Sequence, residues 1–275
     1  MPKINIFLTQ SLIYDDLQLK DKNVVVVDVL RATTTITVAL NNGAKEVIPA
    51  ESTPKAAKIK RGSANSLLCG ERNGVKIVGF DLGNSPFEYE PAIVKNKSLI
   101  FSTTNGTNAI VKSRLAKNCV LASFLNVKTI VDFILNLNQD FTIVCSGKNN
   151  NFCTEDFICA GIIIRELLNA KPTDIEYELS DVENAALELA DKLVYDDGKV
   201  SEEKILDMLK KTEHGKFLNS IGFEKDLIKC SEFNSLSCLP IYSKEVIKLK
   251  ERIEHENNQR QQMKKINISG DKENS

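Results

Sequence analysis

Short runs of β-branched residues alternate along the chain with longer stretches whose apolar positions recur every three to four residues. Residues 4–8 read as a first strand, and the valine-rich run 24–29 as a second, apolar enough to be buried on both faces. A helix over 33–42 follows, stopped by Asn42-Gly43. Residues 46–49 read as the next strand and 53–61 as the next helix, with Pro54 in its first turn. The pattern then predicts strands at 98–102, 120–122 and 141–145, and helices at 108–116, 127–137 and 154–169. Between them, the glycine-rich stretch 70–86 reads as too polar for a core element. Such alternation predicts an α/β fold, three α/β/α layers around a mostly parallel mixed sheet. Beyond residue 170 the strand pattern stops. Additional amphipathic helices are expected in the C-terminal third, at 181–195 and 201–209, with Asp196-Asp197-Gly198 as the turn between them. Residues 236–241 read as a strand returning to the sheet. With no internal repeat or linker, residues 1–248 form one expected domain, and 249–275 a charged tail, partly helical or disordered.

Composition narrows the function classes. The chain has 275 residues, 42% hydrophobic and 27% charged, with 36 basic against 37 acidic side chains. A net charge of −1 leaves no cation excess to neutralise a nucleic-acid backbone. The apolar runs fall far short of the roughly 20 residues that span a bilayer, and the N-terminus lacks a signal-peptide pattern. Seven cysteines, at 69, 119, 145, 153, 159, 230 and 238, form no CxxC pair and read as reduced structural thiols of a cytoplasmic protein. There are only 7 arginines against 29 lysines. An arginine beside an apolar strand therefore draws attention as a planar fork for an anion.

In α/β sheets the ligand crevice lies at the carboxyl ends of the strands. Four polar clusters fall there: Asp28 to Thr35, Gly70 to Pro86, Ser102 to Thr107, and Cys145 to Lys148 continuing to Asp156. Each also has an ordinary explanation. Asp28 can cap a turn, the threonines can be N-caps, Glu71 and Asp81 can be solvated loop acids, and Glu155 and Asp156 can complement a helix dipole. Adjacent helical residues diverge by about 100°, so the last two need not reach one ion. Taken together, the set describes a magnesium-assisted phosphoryl site, with carboxylates for a hard cation, hydroxyls and helix N–H groups for phosphate, and arginines for other anionic groups. No GxxxxGK[ST], GxGxxG or GxSxG motif is present. His214, in Glu213-His214-Gly215-Lys216, suits a helix terminus, an anion contact or a proton donor to a leaving oxygen.

The stretches DVLRATTTI (28–36), GER (70–72), GFDLGNSP (79–86), TTNGT (103–107), CSG (145–147), Glu155-Asp156 and Ala160-Gly161, with His214-Gly215-Lys216, Gly222, Asp226 and Pro240, resemble the 2-phosphosulfolactate phosphatase (ComB) family from about residue 4 to 245. The resemblance implies a Mg²⁺-dependent phosphoric monoester hydrolase that converts (R)-2-phospho-3-sulfolactate to (R)-3-sulfolactate and phosphate, a reaction of the coenzyme M biosynthetic type. It implies Asp28 and His214 as catalytic residues. Substrate contacts would come from Arg31, Thr33, Thr34, Arg72, Asn84, Ser85, Thr103, Thr104, Asn105, Gly106, Thr107, Ser146, Gly147 and Lys216. Metal ligands would be drawn from Asp28, Glu71, Asp81, Glu155 and Asp156, more acids than one magnesium needs. Lys148 matches the family pattern only loosely, and Arg165 reads as structural. Asp28 can attack phosphorus itself or serve a metal-activated water. Position 30 is Leu, so the second acid of a haloacid-dehalogenase DxD pattern is missing. Two alternatives stay open: a phosphatase for another small 2-phospho-carboxylic acid, and a non-catalytic anion-binding relative. The expected partner is a small anionic organic phosphate, with neither nucleic acid nor membrane, and homo-oligomers are allowed.

Overall fold

Val24 to Val27 are all buried, so neither face of this strand meets water. Side chains of a strand point alternately to its two sides, and here Val25 and Val27 enter one core while Val24 and Val26 enter another. The computed structural model, which describes residues 1–173 and 175–256, builds on this strand. The chain runs through β1 (Ile4–Phe7), β2 (Asn23–Val27), α1 (Ala32–Asn41), β3 (Glu46–Pro49), α2 (Thr53–Arg61), β4 (Ser66–Arg72), β5 (Val75–Lys76) and α3 (Pro91–Val94). It continues through β6 (Ser98–Ser102), α4 (Gly106–Lys112), β7 (Asn118–Ala122), α5 (Val127–Leu137), β8 (Phe141–Cys145), α6 (Thr154–Ala170) and α7 (Asp181–Val194). The last third holds β9 (Tyr195–Asp196), β10 (Lys199–Val200), α8 (Glu202–Lys211), α9 (Glu213–Ser220), α10 (Glu224–Ser231), β11 (Pro240–Ser243) and β12 (Val246–Leu249).

Ten strands form one mixed sheet in the order β1-β8-β2-β7-β11-β12-β3-β6-β4-β5. β1, β8, β2 and β7 pair in parallel, and β3, β6 and β4 make a second parallel block. The antiparallel hairpin β11–β12 sits between the blocks, meeting β7 at Ile241–Val120 and β3 at Ile247–Val47. Helices α5 to α7 cover one face of the first block. On the opposite face, Val24, Val26 and Leu121 share a core with Val47, Leu99 and Phe101 of the second block, with α1 and α4 between them. The sheet therefore coils around α1 and α4, and this curvature brings the carboxyl ends of β2 and β6 together. Helix α2 covers the outer face of the second block through Ala56.

The fold class is the one the alternation predicts: α/β layers around a mostly parallel mixed sheet. Three local expectations are corrected. Within the stretch 70–86, β4 runs on to Arg72, and Gly70, Glu71 and residues 82–86 are buried. Burial is tolerated there because the polar groups are satisfied, Asn84 Oδ1 excepted. Gly70 N–H donates to Leu82 O at 3.0 Å, and Glu71 accepts two backbone N–H groups. Strands do not stop at residue 170: β9–β10 turn through Asp197 and Gly198 at positive φ, and the returning strand β11 brings β12 with it. Helices α9 and α10 also add to the two predicted in this region.

The tail begins as helix over 250–256, where Arg252 Nη1 donates to Ala44 O at 2.9 Å. Residues 257–275 of the expected tail lie outside the described residues. All seven cysteines are free and buried. Among the described residues no helix is long and apolar enough to cross a membrane.

Candidate active site

Asp28 follows the last residue of β2 and is buried. Its neighbours are fixed by the turn into α1. Ala32 N–H donates to Asp28 Oδ1 at 3.1 Å, and the Thr33 hydroxyl accepts from Asp28 N–H and donates to Asp28 O. The Oδ2 edge lies against Gly106, the first residue of α4. A Cβ at Gly106 would stand 2.5 Å from Oδ2 and 2.4 Å from Ala32 Cβ, so only glycine permits this approach. Burial drives the Asp28 carboxyl up to about 6, assisted by the negative charge of Glu71 and opposed by His214, the Ala32 N–H and Ser146. The Ser146 hydroxyl lies close enough to lower the Asp28 pKa but outside hydrogen-bond geometry.

Two further acids come from the first turn of α6. Asp156 accepts from Val29 N–H at 2.9 Å and Gly147 N–H at 3.1 Å, tying the loops after β2 and β8 together. Burial, then Asp28, then Glu155 push its carboxyl well above the usual range. Glu155 turns elsewhere, its Oε1 standing 3.2 Å from His214 Nδ1 at the start of α9. The angular divergence of adjacent helical residues thus gives the two acids different partners. α9 is held by its N-cap, Thr212 Oγ1, which accepts from Gly215 N–H at 3.0 Å. A cavity of about 260 Å³ opens on Lys148, Asn149, Asn151, Phe152, Cys153, Thr154, Glu155, Glu213 and His214. Gly147, at φ +71°, makes the turn into this wall; a Cβ there would meet Asn151 O at 2.4 Å.

The remaining sequence-selected residues divide into scaffold and open groups. Arg31 is buried, with Nη1 2.6 Å from Asp226 Oδ2, Nη2 2.6 Å from Gly74 O, and its guanidinium 4.3 Å over the Phe223 ring. Ser85 completes that pair by donating to Asp226 Oδ1 at 2.7 Å. Arg72 donates to Glu71 O, Ser102 O and Ser102 Oγ. Both arginines expected as anion forks are thus engaged by protein oxygens. Glu71 accepts from Gly74 N–H and Thr104 N–H at 2.8 Å each, clipping β4 to the loop after β6 while its charge acts on Asp28. Asp81 is exposed, accepts from Leu68 N–H, and is not gathered with the other acids. Thr33, Thr34, Thr103 and Thr107 spend their hydroxyls on local backbone and on each other. Asn105 Oδ1 accepts from Asn149 N–H. Lys216 is exposed on α9, about 200° around the helix from His214, so the two do not share a face.

Among the described residues, five buried side-chain oxygens have no hydrogen-bond partner. Besides Ser123 Oγ and Tyr177 Oη, three are Asn84 Oδ1, Thr104 Oγ1 and Ser146 Oγ. An orphaned buried polar atom costs about 1–3 kcal/mol, and all three come from the selected loops. Reasoning from sequence passed over Cys153 and gave Lys148 little weight. Cys153 looked like one more apolar thiol, yet it is the N-cap of α6, two residues before Glu155. Lys148 lines the cavity, pairs with Glu213 at 3.0 Å and lies 5.0 Å over the Phe217 ring.

The chain matches the family described as 2-phosphosulpholactate phosphatase over residues 7–245. It is 36% identical over 251 residues to a probable 2-phosphosulfolactate phosphatase of Clostridium botulinum (strain Eklund 17B / Type B), covering 90% of this chain and 100% of that protein. Proteins of the same description are 40% identical in Caldanaerobacter subterraneus subsp. tengcongensis, over 82% of this chain and 90% of theirs. In Clostridium perfringens (strain SM101 / Type A) the identity is 41%, over 84% of this chain and 90% of the relative.

Proposed function

The chain belongs to the 2-phosphosulfolactate phosphatase family, and from that premise we propose that it hydrolyses (R)-2-phospho-3-sulfolactate to (R)-3-sulfolactate and phosphate. The observation that carries this reading is the convergence of Asp28, Asp156, Glu155 and His214 beside buried hydroxyls that have no protein partner. Asp28 is raised by burial and Glu71, and Asp156 by burial, Asp28 and Glu155, so a cation would relieve both. That is the donor chemistry a hard divalent ion fits, and Asp28 and Asp156 are the residues we assign to hold Mg²⁺, with Glu155 in reserve. When bound, Mg²⁺ supplies charge neutralisation of the phosphoryl oxygens and of the acid cluster.

The chain's own groups do the rest. Asp28, fixed by the Ala32 N–H on its Oδ1, would orient the attacking water, and the proton that water sheds passes to solvent. Glu155 accepts from His214 Nδ1–H, which leaves Nε2 to donate a proton to the departing sulfolactate oxygen. The Ser146 and Thr104 hydroxyls hold non-bridging phosphoryl oxygens. Lys148 attracts the carboxylate or sulfonate end of the substrate. Seven buried, unpaired thiols support a reducing, cytoplasmic location.

The test is phosphate release from phosphosulfolactate with added Mg²⁺. Activity should vanish with chelator and in Asp28→Asn, and wild-type turnover in that variant removes Asp28 from the chemistry. One observation favours a second substrate: Arg31 and Arg72 are both committed to protein oxygens, which leaves few cations for a sulfonate. Equal kcat/KM on phospholactate would identify a general 2-phospho-carboxylic acid phosphatase.

A further inference from the structure

We propose that Cys153, Glu155 and His214 form a binding site for a thiophilic divalent ion of the zinc class at the edge of the reaction pocket. One ligand atom from each, the thiol sulfur, a carboxylate oxygen and a ring nitrogen, all lie within 4.8 Å of one another. Tetrahedral zinc, with bonds of about 2.0–2.3 Å, separates its ligand atoms by roughly 3.3–3.8 Å. The three atoms therefore need to close by only about an ångström to take the ion. The donor set decides which ion. Magnesium takes oxygen and keeps its waters, whereas a sulfur–nitrogen–oxygen set suits zinc and cobalt.

The site is built from fixed parts. Cys153 is the N-cap of α6 and Glu155 lies in its first turn, while His214 sits in the first turn of α9 behind the Thr212 cap. The cavity of about 260 Å³ opens on all three residues, leaving a fourth position for water or a substrate oxygen. Before binding, Cys153 is a thiol, because burial and the neighbouring Asp156 and Glu155 push it up. The arriving ion displaces the thiol proton, and a second proton when His214 is imidazolium, to solvent and is held by thiolate, carboxylate and a neutral imidazole lone pair. No electron is transferred. The binding itself is independent of the reaction. One consequence rests on the phosphatase reading: an ion held by Glu155 and His214 withdraws the proton donor, so zinc inhibits Mg²⁺-dependent turnover.

Cobalt(II) is the probe, titrated into the full chain. We expect one equivalent to give a thiolate-to-cobalt charge-transfer band in the near ultraviolet, with tetrahedral visible absorption, both bleached by stoichiometric Zn²⁺. Cys153→Ser, which supplies a favoured N-cap and so preserves α6, should abolish the charge-transfer band. It should also weaken Zn²⁺ binding by at least about tenfold and relieve zinc inhibition, read as each protein's turnover with Zn²⁺ relative to its own turnover without it. Absence of the band in the wild type, or its survival in Cys153→Ser, overturns the proposal. A cobalt band in a protein with no phosphatase activity upholds the site and refutes the phosphatase reading alone.

Discussion

Replacing Asp28 by Asn should stabilise the protein while abolishing its activity, by an amount that depends on pH. Folding carries this carboxyl from its ordinary value of 3.8 to about 6, chiefly through burial. At about 1.36 kcal/mol for each tenfold change in proton affinity, keeping it ionised costs the folded state about 3 kcal/mol. The folded protein binds this proton more tightly than the unfolded chain, so the cost is complete above pH 7. It shrinks as pH falls from 6 toward 3.8, to roughly half at pH 5, and is nearly gone by pH 3.5. Asn has the same shape and no charge, and its Oδ1 can still accept from Ala32 N–H. Urea unfolding of both proteins from pH 4 to 8 measures the effect. We expect Asp28→Asn to be more stable by up to about 3 kcal/mol at pH 7.5, with the gap closing in acid. Added Mg²⁺ should narrow the gap at pH 7.5 by stabilising the ionised wild type. A gap that is flat with pH, or a variant less stable than wild type at pH 7.5, would refute the claim that burial strains this carboxylate.

Asp226→Ala leaves the Arg31 guanidinium buried without its anion and should cost about 3–5 kcal/mol, read as a lower urea midpoint; a loss below about 1 kcal/mol would show that Gly74 O and Phe223 suffice. Gly106→Ala sets a methyl against Asp28 Oδ2 and Ala32 Cβ, so thermal unfolding should report about 1–3 kcal/mol of destabilisation and steady-state kinetics a fall in kcat. Gly161→Ala makes a comparable intrusion away from the chemistry, its Cβ meeting Ala186 O of α7 at 2.2 Å. It should lower the melting temperature while kcat per folded molecule stays unchanged.

The parallel strands were legible because burial on both faces leaves an unbroken apolar run, as in Val24 to Val27. The hairpin β11–β12 was only half legible. Its turn is Lys244-Glu245, both at positive φ, where the usual signal is Asn-Gly or Asp-Gly; Asp197-Gly198 carries that signal in β9–β10. At the site, the edge of the sheet and the acids at its centre followed from residue type and position. The role of Arg31 did not, because Asp226 lies 195 residues away in sequence and no local pattern announces a partner at that distance. Polar burial over 70–86 was hidden in part for the same reason: of the two N–H groups that satisfy Glu71, Gly74 is local but Thr104 comes from the loop after β6.

A ribosome delivers this molecule with its middle missing. The two strands that join one half of the sheet to the other are encoded after residue 239, whereas Asp28 and the loop carrying Thr104 belong to separate halves made much earlier. A nascent chain still lacking Pro240 to Leu249 carries both halves but none of the direct strand pairing that bridges them. The seam at the centre is sewn last, after the shared core around α1 and α4 is already encoded.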